Sequence, residues 1–209
     1  MNSVRYKILG RPWAGSLIAE FLFHEIGVNY DIFFVDSNDL TNNDIKSEHP
    51  QGKIPTLICS DGNTIYETLA IVNHITDRFN ALVPKRRTFR HDRYWQFLSL
   101  MATSIYPAYH RQHHSQYYIS EGSYEDLSRK AREEQSKIYD YIENELNPYI
   151  CGDLLTAADF YLYMLVRWDL YKDALYHSRP QLKNLTNIMR ARPSIAGVLN
   201  NQRKRKIEV

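Results

Sequence analysis

Two neighbouring stretches, HPQGKIPTLI at residues 49–58 and DGNTIYETLAI at residues 61–71, decide how this chain folds. In the first stretch, Pro55 opens a short β-rich run, where its missing N–H removes one hydrogen bond from a strand ladder. In the second, Asp61-Gly62-Asn63 is a typical hairpin turn, and a helical pattern begins at Glu67 directly after a strand. The two stretches therefore predict an antiparallel strand pair that leads into a helix.

The residues before these stretches add a β-α-β unit. Residues 6–9 and 30–35 are β-rich, and between them apolar side chains recur at helical spacing over residues 17–26 until Gly27 ends the pattern. The polar segment 39–47 is predicted to be a loop with a short helix. A β-α-β unit followed by β-β-α, with a proline opening the third strand, is the thioredoxin-like arrangement, so we predict an α/β domain of this type.

Beyond residue 81 the sequence changes to long helical segments with few glycines. We therefore predict three parts: a thioredoxin-like domain over residues 1–81, a linker over residues 82–87, and an all-helical domain over residues 88–209. The fold class is thus α/β plus all-α.

Local signals mark the helices of the second domain. Pro107 lies within the helical segment 88–118 and is expected to kink it. The sequence TAAD at 156–159 has the spacing of a capping box, and the apolar helix after it should lie at the centre of the domain. Pro180 and Pro193 mark the starts of two further helices.

Composition and charge exclude several classes of protein. The chain has 209 residues, of which 44% are hydrophobic and 24% charged, and its longest apolar run is far shorter than the ~18 residues that span a bilayer. The two cysteines imply no disulfide framework, and the N-terminus lacks a signal-peptide pattern, so a cytoplasmic location is expected. The net charge is +2, and the basic run at 203–206 indicates a solvated tail rather than a nucleic-acid-binding face.

Taken together, the motifs resemble those of the cytosolic glutathione S-transferases over nearly the whole chain. In that family the first stretch reads N-P-x-G-K-V-P-x-L and the second D-G-x-x-L-x-E-S-x-A-I. The GD pair at 152–153 with TAAD at 156–159 is similar to the family's helical-domain capping motif, and RPS at 192–194 is similar to the start of its last helix. The resemblance implies the glutathione transferase architecture and lies nearest to the bacterial beta-like class.

A cradle for glutathione is what this resemblance implies. If the Ile54-Pro55 bond is cis, the chain turns sharply and exposes the backbone of Ile54, which in the family pairs with the cysteinyl backbone of glutathione. Thr68 stands at the family's serine, at a helix N-terminus suited to the α-carboxylate of the γ-glutamyl group, and Glu67 can accept from its ammonium. Lys53 and Gln51 are candidates for the glycyl carboxylate. Each of these assignments has a purely structural alternative: Pro55 as an ordinary edge-strand proline, Glu67 and Thr68 as a plain helix cap, and Lys53 as a solvated surface lysine.

The segment that should activate the thiol departs from the family pattern. A free thiol titrates near ~8.5, and the thiolate is the nucleophile, so a donor has to stabilise it. RPWAGSL at 11–17 resembles the beta-class S-P-G-A-C-S-L, but Gly15 stands at the cysteine position. Trp13 stands near the theta-class serine and Gly10 near the tyrosine of the mammalian-type classes, so no usual catalytic residue is in place. Ser16 is the nearest hydroxyl, and Trp13 offers an indole N–H. Ser16 alternatively serves only as an N-cap.

The second domain departs from the pattern as well. ATSIYPAY at 102–109 resembles the beta-class S-T-E-L-H-P-A-F, and Tyr106 replaces the histidine that faces the thiol in that class. Tyr106 is therefore a third candidate donor, or else a core tyrosine beside the Pro107 kink. The candidates for the wall of a second, hydrophobic substrate pocket are Tyr106, Tyr109, His110 and Trp168.

Three other features are considered and given less weight. His110, His113 and His114 have the spacing of a metal-binding helix face, yet no carboxylate or cysteine accompanies them, so no metal is expected. Cys59 is expected to be a buried packing residue. The turn before the first helix lacks a Cys-x-x-Cys pair, so thioredoxin-type dithiol chemistry is not expected.

The sequence predicts an enzyme similar to glutathione S-transferases that adds the glutathione thiolate to a hydrophobic electrophile in detoxification. Glutathione is the expected co-substrate and a hydrophobic small molecule the second substrate, in a cytoplasmic homodimer with no metal, nucleic-acid or membrane partner. Loss of the usual catalytic Cys, Ser and Tyr favours one alternative, a glutathione-binding carrier or scaffold with little catalysis. A glutathione-dependent peroxidase, reductase or isomerase is the other, since a fold does not fix a chemistry.

Overall fold

The computed structural model describes residues 6–35 and 49–205, so the loop predicted over residues 39–47 lies outside the described part of the chain. The elements form two compact units. One contains residues up to Ala81 together with those from Arg190 onward, and the other contains Leu82–Met189. The chain leaves the first unit after Ala81, the residue at which the sequence predicts the end of the first domain. The last helix, which the sequence places with the helical domain, clusters with the first unit.

The first unit is built on a four-stranded mixed sheet. The strands are β1 (Tyr6–Gly10), β2 (Tyr30–Phe34), β3 (Thr56–Ile58) and β4 (Thr64–Tyr66), in the order β2-β1-β3-β4. β1 pairs with β2 in parallel, whereas β3 runs antiparallel to both β1 and β4. With helices α1 (Leu17–Ile26) and α2 (Thr68–Phe79), this arrangement confirms the thioredoxin-like prediction.

Helix α1 is the core of this unit, because every residue from Leu17 to Phe23 is buried. It packs against α2 and also against the last helix, α9 (Pro193–Arg205), so it has little solvent-facing surface near its start. Gly27 ends α1 in the left-handed conformation, with φ of 72°, as the sequence predicts.

Polar contacts tie α9 to α1. Glu25 accepts hydrogen bonds from the guanidinium of Arg192 and the hydroxyl of Ser194. These two hydrogen bonds lower the pKa of Glu25, although burial opposes them. The amide Nε2 of Gln202, a fully buried side chain, donates to Glu20 Oε1 at 2.7 Å. The last helix is therefore an integral part of the sheet-containing unit.

The second unit is helical, as predicted. Its helices are α3 (Phe89–Leu100), α4 (Tyr106–His113), α5 (Tyr124–Glu145), α6 (Ala157–Trp168), α7 (Lys172–Ser178) and α8 (Pro180–Arg190). A π-helical turn, Met101–Ile105, joins α3 to α4 directly before Pro107. Prolines and π-helical turns are both places where long helices bend, and the kink expected at Pro107 stays a prediction.

Helix α6 lies at the centre of the second unit, with its first ten residues all buried. The predicted capping box is present: the carboxylate of Asp159 accepts the Thr156 N–H at 2.8 Å and, with its other oxygen, the Ile150 N–H at 2.8 Å. Burial raises the pKa of Asp159 to about 6, against the effect of these hydrogen bonds. Among the helices described here, none is long and apolar enough to cross a membrane.

Candidate functional site

The hydrogen-bond register of the sheet brings three segments to one end of the sheet, the end at which β3 begins. Leu9 pairs with Thr56, and Thr56 pairs with Tyr66. Because β3 is antiparallel to both neighbours, the chain leaving β1, the chain entering β3 and the chain leaving β4 all lie at this end of the sheet. The predicted site residues on these segments are Trp13 and Ser16, Ile54 and Pro55, and Glu67 and Thr68. The sheet thus collects residues that are far apart in sequence.

The Ile54-Pro55 peptide bond is cis. From the sequence, the backbone of Ile54 is expected to be exposed if this bond is cis. Pro55 is buried and Ile54 is partly accessible. Gln51 and Lys53, in the turn just before, are both exposed. The chain entering β3 therefore has one half-buried residue, Ile54, directly after a turn with two exposed, long polar side chains.

Glu67 has an unusual backbone at the start of α2. Its φ of 66° and ψ of 127° lie where non-glycine residues are rarely found, at a cost of about 1–3 kcal/mol. Thr68 follows as the first helical residue and is 9% exposed. No acidic side chain lies in the first turn of α2, so the partial positive charge of this helix end is not offset from within the helix. The segment can receive a carboxylate.

His49 is a site residue for which the sequence suggested no role. It is buried, and its Nδ1 accepts the Gln51 N–H at 3.0 Å while its carbonyl accepts the Gly52 N–H at 2.9 Å. Burial lowers the pKa of His49, with an opposing effect from Glu67. The imidazole therefore holds the turn that carries Gln51 and Lys53. The asparagine of the family motif was the available signal, since Asn also bonds to the backbone two residues on.

Ser16 and Trp13 differ sharply in their surroundings. Ser16 is fully buried, its Oγ donates to the Arg11 carbonyl at 3.2 Å, and it makes no capping hydrogen bond to α1. A side chain at Gly10 would overlap it. Trp13 is half-buried with φ of 63°, and its backbone N–H donates to Gln202 Oε1 at 3.1 Å. A bulky residue rarely adopts this left-handed conformation without support.

In the helical unit, three of the four residues expected to line a second pocket lie together. The ring of Trp168 is 5.1 Å from that of Tyr106 and 5.2 Å from that of Tyr109, between centroids. Burial raises the pKa of the Tyr109 phenol. The fourth, His110, has its Nδ1 2.8 Å from the hydroxyl of Tyr118 and its ring centroid 4.6 Å from that of His114, so it belongs to a neighbouring His–Tyr group.

Two further points concern the two cysteine thiols and the possibility of a metal-binding group. Cys59 is half-buried rather than buried, its Sγ lies 3.7 Å from His74 Nε2, and burial raises its pKa. Cys151 is buried, which raises its pKa to about 11. Both are free thiols. Within residues 6–35 and 49–205, no group of three His, Cys, Asp or Glu side chains could hold a metal ion.

A thioredoxin-like unit combined with a helical unit defines the class of two-unit thioredoxin-fold proteins, and comparison with known proteins narrows that class. Residues 16–78 match the family model of the glutathione S-transferase N-terminal domain, and residues 109–202 match that of the C-terminal domain. The two matches together span most of the chain. The protein belongs to the glutathione S-transferase family.

Individual relatives are distant. "Glutathione S-transferase GstA" of Escherichia coli O157:H7 is 25% identical over 170 residues, which are 78% of this chain and 81% of that protein. A glutathione transferase homologue from Sulfitobacter, solved with bound glutathione, has a TM-score of 0.85 at 22% identity and covers 95% of this chain and 98% of its own. The beta-class enzyme of Sphingomonas chungbukensis has a TM-score of 0.81 at 24% identity, covering 94% and 98%. The structural matches establish a shared fold.

Proposed function

We propose that this protein binds glutathione at the end of the sheet described above and adds the glutathione thiolate to a hydrophobic electrophile. The observation that carries the proposal is the register that places Ile54-Pro55, Glu67-Thr68 and the start of α1 at one end of the sheet. An extended tripeptide with a carboxylate at each end and a thiol at its centre matches these three segments. The family membership of the chain supports the same ligand.

Each part of glutathione then has a partner. The cysteinyl backbone pairs with the backbone of Ile54, just before β3 begins, through main-chain hydrogen bonds of the kind that join two strands. The α-carboxylate of the γ-glutamyl group receives hydrogen bonds from the N–H and hydroxyl of Thr68, and Glu67 accepts from the ammonium. Lys53 and Gln51 hold the glycyl carboxylate in the turn that His49 fixes.

The thiol of glutathione lies next to the start of α1. Lowering a thiol pKa by two units takes ~2.7 kcal/mol of preferential stabilisation of the thiolate. The positive end of α1 provides part of this, and a side-chain donor provides the rest. The Ser16 hydroxyl already donates to the Arg11 carbonyl, so Ser16 would have to give up that hydrogen bond to stabilise the thiolate, and we assign the donor in this unit to Trp13 as the hypothesis to test. Tyr106 of the helical unit stays a predicted donor.

Binding is tested by Thr68→Val, which removes one hydroxyl and keeps the shape of the side chain. We expect the dissociation constant of glutathione, measured by titration calorimetry, to rise about tenfold, as for a lost hydrogen bond to a charged group. Thr64→Val is the matched control, since Thr64 lies at the other end of β4, opposite Ile58. An unchanged dissociation constant in Thr68→Val would contradict the cradle.

Catalysis is tested separately, with turnover of a model aryl halide. We expect Trp13→Phe and Tyr106→Phe to lower kcat more than they weaken glutathione binding, because a donor to the thiolate acts mainly on the chemical step. Ser16→Ala should change kcat least, since its hydroxyl is already engaged. If Ser16→Ala has the largest effect, the assignment of the donor to Trp13 is wrong.

A second candidate function, a glutathione-binding carrier, is favoured by the same observation on Ser16. Its hydroxyl is buried and bonded to the backbone, and Gly15 stands where the beta class has its cysteine. Retention on glutathione-agarose without turnover of the aryl halide, in the unmodified protein, would select the carrier. Retention with turnover would select the transferase.

A further inference from the structure

The helical unit contains a cavity of about 210 Å³. It is lined by α5, by α7 and by the segments that flank α7. The lining residues that matter here are Arg132, Tyr139, Asp169, Tyr171, Leu175 and Arg179. All of them belong to the unit formed by Leu82–Met189, whereas every residue of the glutathione cradle belongs to the other unit. The cavity is therefore a separate feature of the molecule.

Arg179 is a buried cation in the cavity lining. Its two terminal nitrogens are well used: Nη1 donates to Ser178 Oγ at 3.0 Å, and Nη2 to Ser136 Oγ at 2.7 Å and to the Asp140 carboxylate at 2.7 Å. Its Nε has no hydrogen-bond partner in residues 6–35 and 49–205. Because a guanidinium only donates, this third position calls for an acceptor.

Tyr139 adds a second donor to the same lining. It is 1% exposed, and its Oη also has no hydrogen-bond partner among the residues that the structure describes. Burial raises the pKa of this phenol well above its ordinary value, so the hydroxyl stays protonated. A buried donor without an acceptor costs about 1–3 kcal/mol, so two of them around one cavity are unusual for a site that only packs.

The rest of the lining is suited to a flat apolar group. The guanidinium of Arg132 lies 3.3 Å from the centroid of the Tyr171 ring, and the side chain of Leu175 adds an apolar wall. Asp169 is the one carboxylate in the lining, and its Oδ1 already accepts the Tyr171 N–H at 2.8 Å. The lining thus contains two guanidinium groups and one carboxylate, and the ion pair of Arg179 with Asp140 uses Nη2 and not Nε.

We propose that this cavity binds a small monocarboxylate with a flat apolar body. Nε of Arg179 and Oη of Tyr139 are out of contact with solvent, so binding requires a rotation of each side chain that opens these atoms to the cavity. The carboxylate then accepts hydrogen bonds from both, and the body packs against Tyr171 and Leu175. The cavity is smaller than the ~300–1,000 Å³ pockets that hold drug-sized ligands, so it suits a molecule of the size of benzoate. This binding site is additional to the glutathione cradle and does not depend on it.

Benzoate is the probe for the test, titrated into the full chain by calorimetry up to ~10 mM, where a dissociation constant of ~1 mM gives near saturation. We expect saturable binding that Tyr139→Phe weakens about tenfold. This variant removes an oxygen that has no described partner, so the protein should fold normally. Benzamide, which has the same shape but no charge, should bind at least tenfold more weakly than benzoate.

Two controls distinguish benzoate binding in this cavity from benzoate binding elsewhere on the protein. Tyr94→Phe removes a buried phenol of the same unit that does not line the cavity, and it should leave benzoate binding unchanged. Thr68→Val should also leave it unchanged, whatever its effect on glutathione. The proposal is overturned by any of three results: no saturable binding of benzoate, equal binding in Tyr139→Phe, or competition between benzoate and glutathione that Thr68→Val weakens.

Discussion

At the scale of single residues, His49 shows how a buried polar side chain supports the turn that precedes β3. Its Nδ1 accepts from Gln51, which requires an unprotonated ring nitrogen, and burial lowers the pKa of the imidazole in agreement with that role. Protonation at Nδ1 would turn the acceptor into a donor facing another donor. The turn that carries Gln51 and Lys53 is therefore sensitive to pH.

A pH dependence of stability follows. The folded-state pKa of His49 lies below its ordinary value of 6.5, so the unfolded chain takes up the proton first as the pH falls. The stabilising contribution is complete above pH ~6.5 and is lost as the pH falls through that value towards the folded-state pKa. We expect the free energy of unfolding in urea to decline over this range.

His49→Asn isolates that contribution, because Asn can form the same turn and does not titrate. The variant should lose the part of the pH dependence that belongs to residue 49, while the other histidines with lowered pKa, His74 and His113, keep theirs. Identical pH profiles for the variant and the unmodified protein would show that His49 does not titrate on unfolding.

At the scale of elements, the sequence predicted most of the architecture because the signals are local. The hairpin turn, the helix stop at Gly27, the capping box at Asp159 and the helix starts at Pro180 and Pro193 are all present where expected. Helix α7 was missed, since seven residues give too short a hydrophobic pattern to recognise. The π-helical turn before Pro107 has no sequence code of its own, so only a kink could be predicted.

Contacts between distant elements were not predictable. Gln202 on α9 accepts from the Trp13 backbone across 189 positions of sequence and donates to Glu20 across 182. The residues proposed for the glutathione cradle could be named from the sequence because they lie in two adjacent motifs. Gln202 lies in no motif, and its partners are set by helix packing. The same reason explains why the pair Tyr139 and Arg179 gave no signal in the sequence.

Gln202 supports the left-handed backbone of Trp13, and this support can be tested. Gln202→Leu removes one hydrogen bond from Trp13 and one from Glu20, so we expect the free energy of unfolding to fall by about 1–3 kcal/mol. Asn201→Leu is the matched control, because Asn201 is an exposed neighbour on the same helix. Equal stabilities of the two variants would show that the Gln202 hydrogen bonds contribute nothing.

At the scale of the whole molecule, charge and composition narrowed the class of protein but did not define its partners. Residues 1–85 have a net charge of −3 and residues 86–209 a net charge of +5. Net charges of this size do not indicate where a cavity lies, so the cavity in the helical unit could not be predicted from them. Fold and family came from motifs that a single chain displays. The expected homodimer stays a prediction, because no local pattern of one chain specifies its contact with a second copy.

The place of α9 has a consequence for how the protein is made. Its residues are synthesised after those of every other helix described here, yet they pack on α1, which precedes them by more than 160 residues. Because a domain generally folds as a unit, the sheet-containing unit can acquire its final packing only after α9 has emerged from the ribosome. Until then the apolar surface of α1 that α9 covers stays exposed, and exposed apolar surface favours association of nascent chains.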